Sequence, residues 1–209
     1  MIVIGLTGSV GVGKTETSNF FKRNKIPVFE SDYEINLLYK KRAVIKKVKE
    51  EFPKAFLDNN LSKAKLAEIV FQDTNKLRAL EGILYTYLRA NRCSWIRKKF
   101  REKKRVVVFD VPLLFEKENV AKYDKIILVT CSEKVQKQRV LRREGWNEKR
   151  LFLTRKQQLM DEKKIKLADI VINTDRGKRY VFNRITNILN KCYYIKQRTN
   201  DRIIFNFQK

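Results

Sequence analysis

Gly8-Ser9-Val10-Gly11-Val12-Gly13-Lys14-Thr15 is the stretch that decides the fold. It follows the pattern G-x-x-x-x-G-K-[ST], a glycine loop whose backbone N–H groups cradle phosphates. The flanks carry as much information as the loop. Before it, Ile2-Val3-Ile4-Gly5-Leu6 is a short apolar run of the kind that forms a buried parallel strand. After it, Glu16 to Arg23 reads as the first turns of a helix. A strand, a glycine loop and a helix N-terminus in that order make an anion site. Glycine lets the backbone approach the anion, and the helix dipole adds positive potential. Gly8, Gly11, Val12 and Gly13 would line the cradle and Glu16 would border it. Lys14 would reach the β- and γ-phosphates of ATP, and the Thr15 hydroxyl would ligate Mg2+.

The composition narrows the chemistry. The chain has 209 residues, enough for one α/β domain with a core and a small lid. No apolar run approaches the roughly 18 residues needed to span a bilayer. The first strand opens at residue 2, which leaves no room for a secretion signal. The expectation is a cytoplasmic protein without a membrane partner. Cys93, Cys131 and Cys192 are far apart and lack metal or disulfide spacing. Histidine is absent, which removes Ser-His-Asp and Cys-His nucleophiles and all His-ligated metals. A general base must then be a carboxylate, or else Lys, Tyr or Cys.

Lys and Arg number 48 against 23 Asp and Glu, a formal net charge of +25. Such an excess fits either nucleic-acid binding or attraction of small polyanionic substrates. The basic residues are spread along the chain rather than gathered in a stripe. That favours the second reading and allows only weak, non-specific nucleic-acid association at low salt.

Five apolar runs read as strands: Ile2–Leu6, Pro27–Phe29, Val106–Asp110, Lys125–Val129 and Ile170–Ile172. Helical patterns lie between them, which predicts a parallel five-stranded sheet with helices on both faces. Ser31-Asp32-Tyr33-Glu34 fits a capping box and predicts a helix continuing through Leu37, Leu38, Ile45 and Val48. From Ser62 to Lys104 the pattern is helical, with a break near Asp73 and Thr74, so residues 33–104 read as a wholly helical insertion. Ser132 is a plausible N-cap for an Arg-rich helix to Glu144. Gly145 interrupts it, and Asn147 starts another helix to about Lys164. Residues 139–165 thus read as a lid. A helix from about Lys178 to Lys191 and a mobile tail over 195–209 complete the chain.

Three features bear on the reaction. Asp32 follows the second strand at the edge where parallel sheets place their ligands. It either accepts the proton of an attacking hydroxyl or serves only as an acid in the first helical turn, and position alone leaves both open. Asp110 ends a strand and either joins the Mg2+ shell or is a turn residue, with Glu116 a second, weaker candidate. Arg139, Arg142 and Arg143 read as lying on one helix, with residues 139 and 143 on one face. They either clamp phosphates or form a solvated basic face.

In order along residues 2 to 190, the chain resembles the dephospho-CoA kinase family. The resemblance is carried by the loop with Lys14 and Thr15, by Glu30-Ser31-Asp32 and by the run from Leu61 to Phe71. It continues through Leu80-Glu81 with Ile83-Leu84, Pro112-Leu113-Leu114-Phe115-Glu116, and Gln136 with Arg139 and Arg143. Gln158 and Ala168-Asp169 with Val171-Ile172 complete it. The resemblance implies a P-loop NTPase sandwich and transfer of the ATP γ-phosphate to the ribose 3′-hydroxyl of dephospho-CoA, the last step of coenzyme A synthesis. It implies Asp32 as general base, and Lys14, Arg139 and Arg143 on the phosphates. The helical insertion would face the CoA substrate. Departures from the family pattern are Glu16 after Thr15, Glu30 for Asp, Lys63 for Arg and Tyr85-Thr86 for His-Pro. Asn173 and Thr174 compete for one Asn position. Another small-molecule P-loop kinase and a nucleic-acid-binding P-loop protein are the alternative functions. The Pro112–Glu116 string with the Ala168–Ile172 ending weighs against the first, and the lack of clustered basic or stacking motifs against the second.

Overall fold

Every residue of Ile2-Val3-Ile4-Gly5-Leu6-Thr7 is buried in the computed structural model, which describes residues 1–198, with side chains through Tyr193. This strand, β1 (Ile2–Thr7), is the centre of a five-stranded parallel sheet. The other strands are β2 (Val28–Glu30), β5 (Val106–Asp110), β6 (Lys125–Thr130) and β7 (Ile170–Asn173). The spatial order is β2-β5-β1-β6-β7. All five apolar runs are strands, most extended by a residue. Ile4, Leu6, Val108, Ile127 and Ile172 point to one face and join Phe20, Phe21, Val181 and Ile185 in a single cluster. Val3, Val107 and Leu128 alternate with them and are equally buried. Both faces of the sheet are therefore covered, which is why its strands are apolar at successive positions.

Helix α1 (Lys14–Arg23) follows the glycine loop. After β5 come the short α6 (Leu114–Lys117) and, beyond β6, α7 (Glu133–Leu141), α8 (Glu148–Lys156) and α9 (Asp161–Leu167). After β7 the chain continues as α10 (Gly177–Arg198). Most of the expected tail lies outside the described residues. Polar side chains fix the strand starts. Asp124 Oδ2 accepts from Val3 N at 2.7 Å, and Asp169 Oδ2 accepts from Ile126 N at 2.7 Å. Asp169 also meets Lys125 at 2.9 Å. Burial raises its pKa, but Lys125 and the Ile126 N–H outweigh that and hold the carboxyl below the usual range. The Ala168-Asp169 string is therefore scaffold that fastens β7 to β6.

The chain forms two compact units. One comprises Met1–Glu30 with the residues from Lys99 onward, and the other is Ser31–Lys98. The second contains α2 (Ser31–Leu38), α3 (Arg42–Glu51), a hairpin of β3 (Phe56–Leu57) and β4 (Asn60–Leu61), α4 (Lys63–Phe71) and most of α5 (Thr74–Arg101).

Four expectations change here. The segment is not wholly helical, because Asp58 and Asn59 have φ of 45° and 66° and close a tight hairpin, the geometry Asn and Asp tolerate best. The helix from Ser31 does not run through to Val48. The Lys40 and Lys41 N–H groups bond to Leu37 and Leu38 carbonyls, tightening the last turn before α3 begins. Ser31 Oγ is buried without a hydrogen bond, so the capping box is not made. The helix expected from Asn147 to Lys164 splits into α8 and α9, for reasons that lie in the site.

Candidate active site

The loop leaves β1 at the carboxyl edge of the sheet, between its neighbours β5 and β6. Order reverses there, which is where open α/β sheets bind ligands. Two glycines are sterically required. A Cβ on Gly8 would lie 2.6 Å from the Val129 carbonyl oxygen. Gly13 has φ 96°, ψ 18° and precedes α1 with no side-chain cap. The first N–H groups of α1 therefore receive no cap from the chain and remain available to an anion. Gly11, at φ 79°, also turns left-handed.

Lys14 is ion-paired with Asp110 at the end of β5. Asp110 is 5% exposed. Burial raises its carboxyl above the usual range, and the Lys14 ammonium opposes that rise without cancelling it. The register places Leu6, Asp110 and Glu30 side by side across three strands. Glu30 is held by Lys22 at 2.5 Å. Thr15 is exposed in the first turn of α1. Asp32 is two residues beyond Glu30, exposed in the first turn of α2, and makes no side-chain ion pair among the described residues.

Arg139 lies against the loop. Its Nη1 donates to Thr174 Oγ1 at 2.8 Å and to the Val12 carbonyl at 3.3 Å. Buried Thr174 in turn donates to the Val12 carbonyl at 2.7 Å. Asn173 instead caps the turn after β7, accepting from Asp175 N at 2.8 Å. Of the two, Thr174 is the one that touches the loop. Arg143 is not on the same helical face as Arg139, because α7 ends at Leu141. Arg142 is its C-cap, and Arg143 is exposed beyond it, before Gly145 turns at φ 71°. Lys63 has Asn36 Oδ1 at 3.2 Å and the Tyr39 ring beneath its ammonium.

Glu116 keeps one carboxylate oxygen, Oε2, buried and without a hydrogen-bond partner among the described residues. Its Oε1 accepts from Leu159 N at 2.9 Å and pairs with Lys164 at 2.9 Å. Its neighbours include several residues that spacing did not single out. Ser9 Oγ donates to Asp161 Oδ1 at 2.5 Å and accepts from Lys164 Nζ at 3.1 Å. Gln158 Oε1 accepts from Val10 N, while Gln136 Nε2 donates to Val10 O at 2.7 Å. Arg155 bonds to Gln136 and Glu133. Ser9, Gln136, Arg155, Gln158 and Asp161 line a cavity of about 460 Å³. Leu159 N donates to Glu116 instead of to a carbonyl of the preceding turn, and the chain parts there into α8 and α9. Gln136 and Gln158 were visible as family matches; Ser9, Arg155, Asp161 and Lys164 carried no signal in their spacing.

Glu16 turns toward cations. Its Oε1 lies 3.7 Å from Lys178 and 3.9 Å from Arg23. Exposed pairs of this kind contribute about 0–1 kcal/mol. Glu16→Gln is therefore expected to change MgATP affinity by no more than about fivefold. Calorimetric titration checks this; tighter binding by an order of magnitude would show that the carboxylate repels the phosphates.

A parallel sheet of this order, a glycine loop capping its central strand, an uncapped helix N-terminus, and Lys, Asp and Arg around one loop define a P-loop kinase. The family description "Dephospho-CoA kinase" matches residues 2–179. A dephospho-CoA kinase of Bartonella quintana is 35% identical over 193 residues, covering 90% of this chain and 99% of that one. A crystal structure from Thermus thermophilus superposes with a TM-score of 0.80 at 25% identity, covering 95% of this chain and 98% of that chain. The dephospho-CoA kinase of Campylobacter jejuni shares the fold, with a TM-score of 0.61 at 17% identity and coverage of 91% and 96%. The chain belongs to the dephospho-CoA kinase family, whose activity is ATP-dependent phosphorylation of dephospho-CoA in coenzyme A biosynthesis. Among the described residues no helix is long and apolar enough to cross a membrane.

Proposed function

We propose that the chain transfers the γ-phosphoryl group of MgATP to the ribose 3′-hydroxyl of dephospho-CoA, with Asp32 as general base. The observation that carries the reading is the loop itself: Gly13 leaves the α1 N-terminus uncapped beside the Lys14–Asp110 pair. MgATP binds with its phosphates on the N–H groups of residues 11–15. Lys14 exchanges Asp110 for the β- and γ-phosphates, and Asp110 loses its ammonium partner. A hard divalent cation suits the donors left behind, the buried Asp110 carboxylate and the exposed Thr15 hydroxyl. These residues would hold Mg2+ arriving on the nucleotide, and that ion neutralises phosphate charge.

Arg139 supports the nucleotide from beside Val12. Arg143, beyond the end of α7, completes the clamp as the exposed stretch around Gly145 closes and excludes water, while residues 158–164 stay tied to Ser9 and Val10. The 31–98 unit takes the CoA side of the acceptor. Asp32 accepts the 3′-hydroxyl proton as that oxygen bonds to the γ-phosphorus. The bond to the β–γ bridging oxygen breaks, and ADP leaves with that electron pair.

A coupled ADP-release assay, with mass detection of the product, tests the reading. The expected result is ADP release that depends on dephospho-CoA and a product heavier by one phosphate. ATP binding without acceptor-dependent release would overturn the acceptor assignment. The departures Lys63 and Tyr85 would then be the residues to examine.

A further inference from the structure

Lys164 is 0% exposed, the one lysine among the described residues whose burial is complete. A buried ammonium needs compensation, because its lost hydration costs far more than a neutral group's. Its Nζ sits between Glu116 Oε1 at 2.9 Å and Ser9 Oγ at 3.1 Å. The Ser9 hydroxyl is held on both sides: it accepts from Lys164 and gives its only hydrogen to Asp161 Oδ1. The next loop residue is held at both backbone atoms, Val10 N by Gln158 and Val10 O by Gln136. Three of these tethers come from residues 158–164, the stretch that ends the Arg-bearing segment.

We propose that Lys164 is a positioning residue for the phosphate-binding loop, fixing Ser9 so that residues 11–15 present their N–H groups to MgATP. The role rests on MgATP binding at that loop. Lys164 touches no phosphate and acts through Ser9. Oε1 of the Glu116 carboxylate holds Lys164 in place, so the Pro112–Glu116 string shapes the loop from below. The Val10 N–H is committed to Gln158 and is withheld from phosphate. A slack Ser9 would release the first half of the cradle while leaving Lys14, Thr15 and the start of α1 intact.

Losing the ammonium alone would strand a buried Glu116 carboxylate, and Lys164→Met would then measure that penalty. The informative variant is the double substitution Lys164→Met with Glu116→Gln, which removes both charges. MgATP dissociation constants by calorimetry, kcat and KM for each substrate, and Tm are measured on the full chain. The double variant is expected to melt within about 3 °C of the parent. Its MgATP dissociation constant should be raised about tenfold, with the KM for dephospho-CoA within about twofold. Recovery of both Tm and MgATP affinity would overturn the proposal, leaving Lys164 as a counter-ion only. If the double variant does not fold, Ser9→Ala decides. A similar loss of MgATP affinity supports the role, and affinity within about twofold of the parent overturns it. The parent is titrated first. A parent that binds MgATP without phosphorylating dephospho-CoA sinks the acceptor reading and leaves this test standing; a parent that binds no MgATP sinks both.

Discussion

Asp32→Asn is expected to lower kcat by about 10²- to 10⁴-fold, the usual range for removing a general base. The dissociation constant for MgATP should stay within about twofold. The substitution keeps the size of the side chain and an oxygen acceptor but removes the proton-accepting charge. Asp32 is exposed and makes no ion pair among the described residues, so the change strands no partner among them. The competing role, an acid in the first turn of α2, predicts something different. A helix-dipole contribution is about 0.3–1 kcal/mol. Its loss would lower Tm slightly and leave turnover near that of the parent. Steady-state kinetics and a thermal melt on the same preparation separate the two. Parent-like kcat with a small drop in Tm would remove Asp32 from the chemistry.

Lys14→Ala should be the second severe variant, and its effects divide between catalysis and stability. Loss of the ammonium removes the charge that follows the β- and γ-phosphates, so both kcat and MgATP affinity should fall. We expect a reduction in kcat/KM of at least about 10³-fold. The same change strips buried Asp110 of its cation. Burial already raises the Asp110 carboxyl in the presence of Lys14, and without Lys14 the rise becomes larger. A carboxyl whose folded-state pKa exceeds its unfolded value stabilises the fold below the unfolded value, about 4. That stability is lost as pH rises through the folded-state value. The variant should therefore lose more Tm at pH 7 than near pH 4, a difference the parent shows more weakly. Adding Asp110→Asn should recover the Tm at pH 7 without recovering activity. Unchanged kinetics in Lys14→Ala would contradict the phosphate site. Equal loss of Tm at both pH values would mean that the pair is not what burial makes costly.

The sheet was legible because its strands are buried on both faces, so each appears as an unbroken apolar run such as Val106-Val107-Val108-Phe109. The hairpin at Asp58-Asn59 was readable in principle, since two residues that tolerate positive φ lie side by side. It was masked by its brevity, with only two residues in each strand. The site divides along a similar line. Lys14 and Thr15 stand where a local chain geometry, strand then loop then helix, puts them, and Asp110 ends an apolar run; the pairing of Asp110 with Lys14 joins residues far apart in the chain and was not readable. Arg139 was readable as an arginine but not as a partner of Thr174. Arg143 was misplaced because helical spacing was extended two residues past the real end of α7.

By itself the sequence determined the parallel sheet with helices on both faces, the strand, glycine loop and helix around residues 8–15, and the family. Each depends on contacts between residues close in the chain, or on periodicity that burial imposes. Only the tertiary structure decided that Glu116 Oε1 meets Lys164 and Leu159 N, that Glu16 turns to Arg23 and Lys178, and that α8 and α9 are separate. The bonds responsible join residues far apart in the chain, such as Ser9 with Asp161 and Val10 with Gln158. Helix propensity is worth tenths of a kilocalorie per residue, whereas a buried charge or backbone group left unpaired costs about 1–3 kcal/mol or more. Satisfying those groups outweighed local preference, and spacing along the chain holds no record of which distant partner would do it.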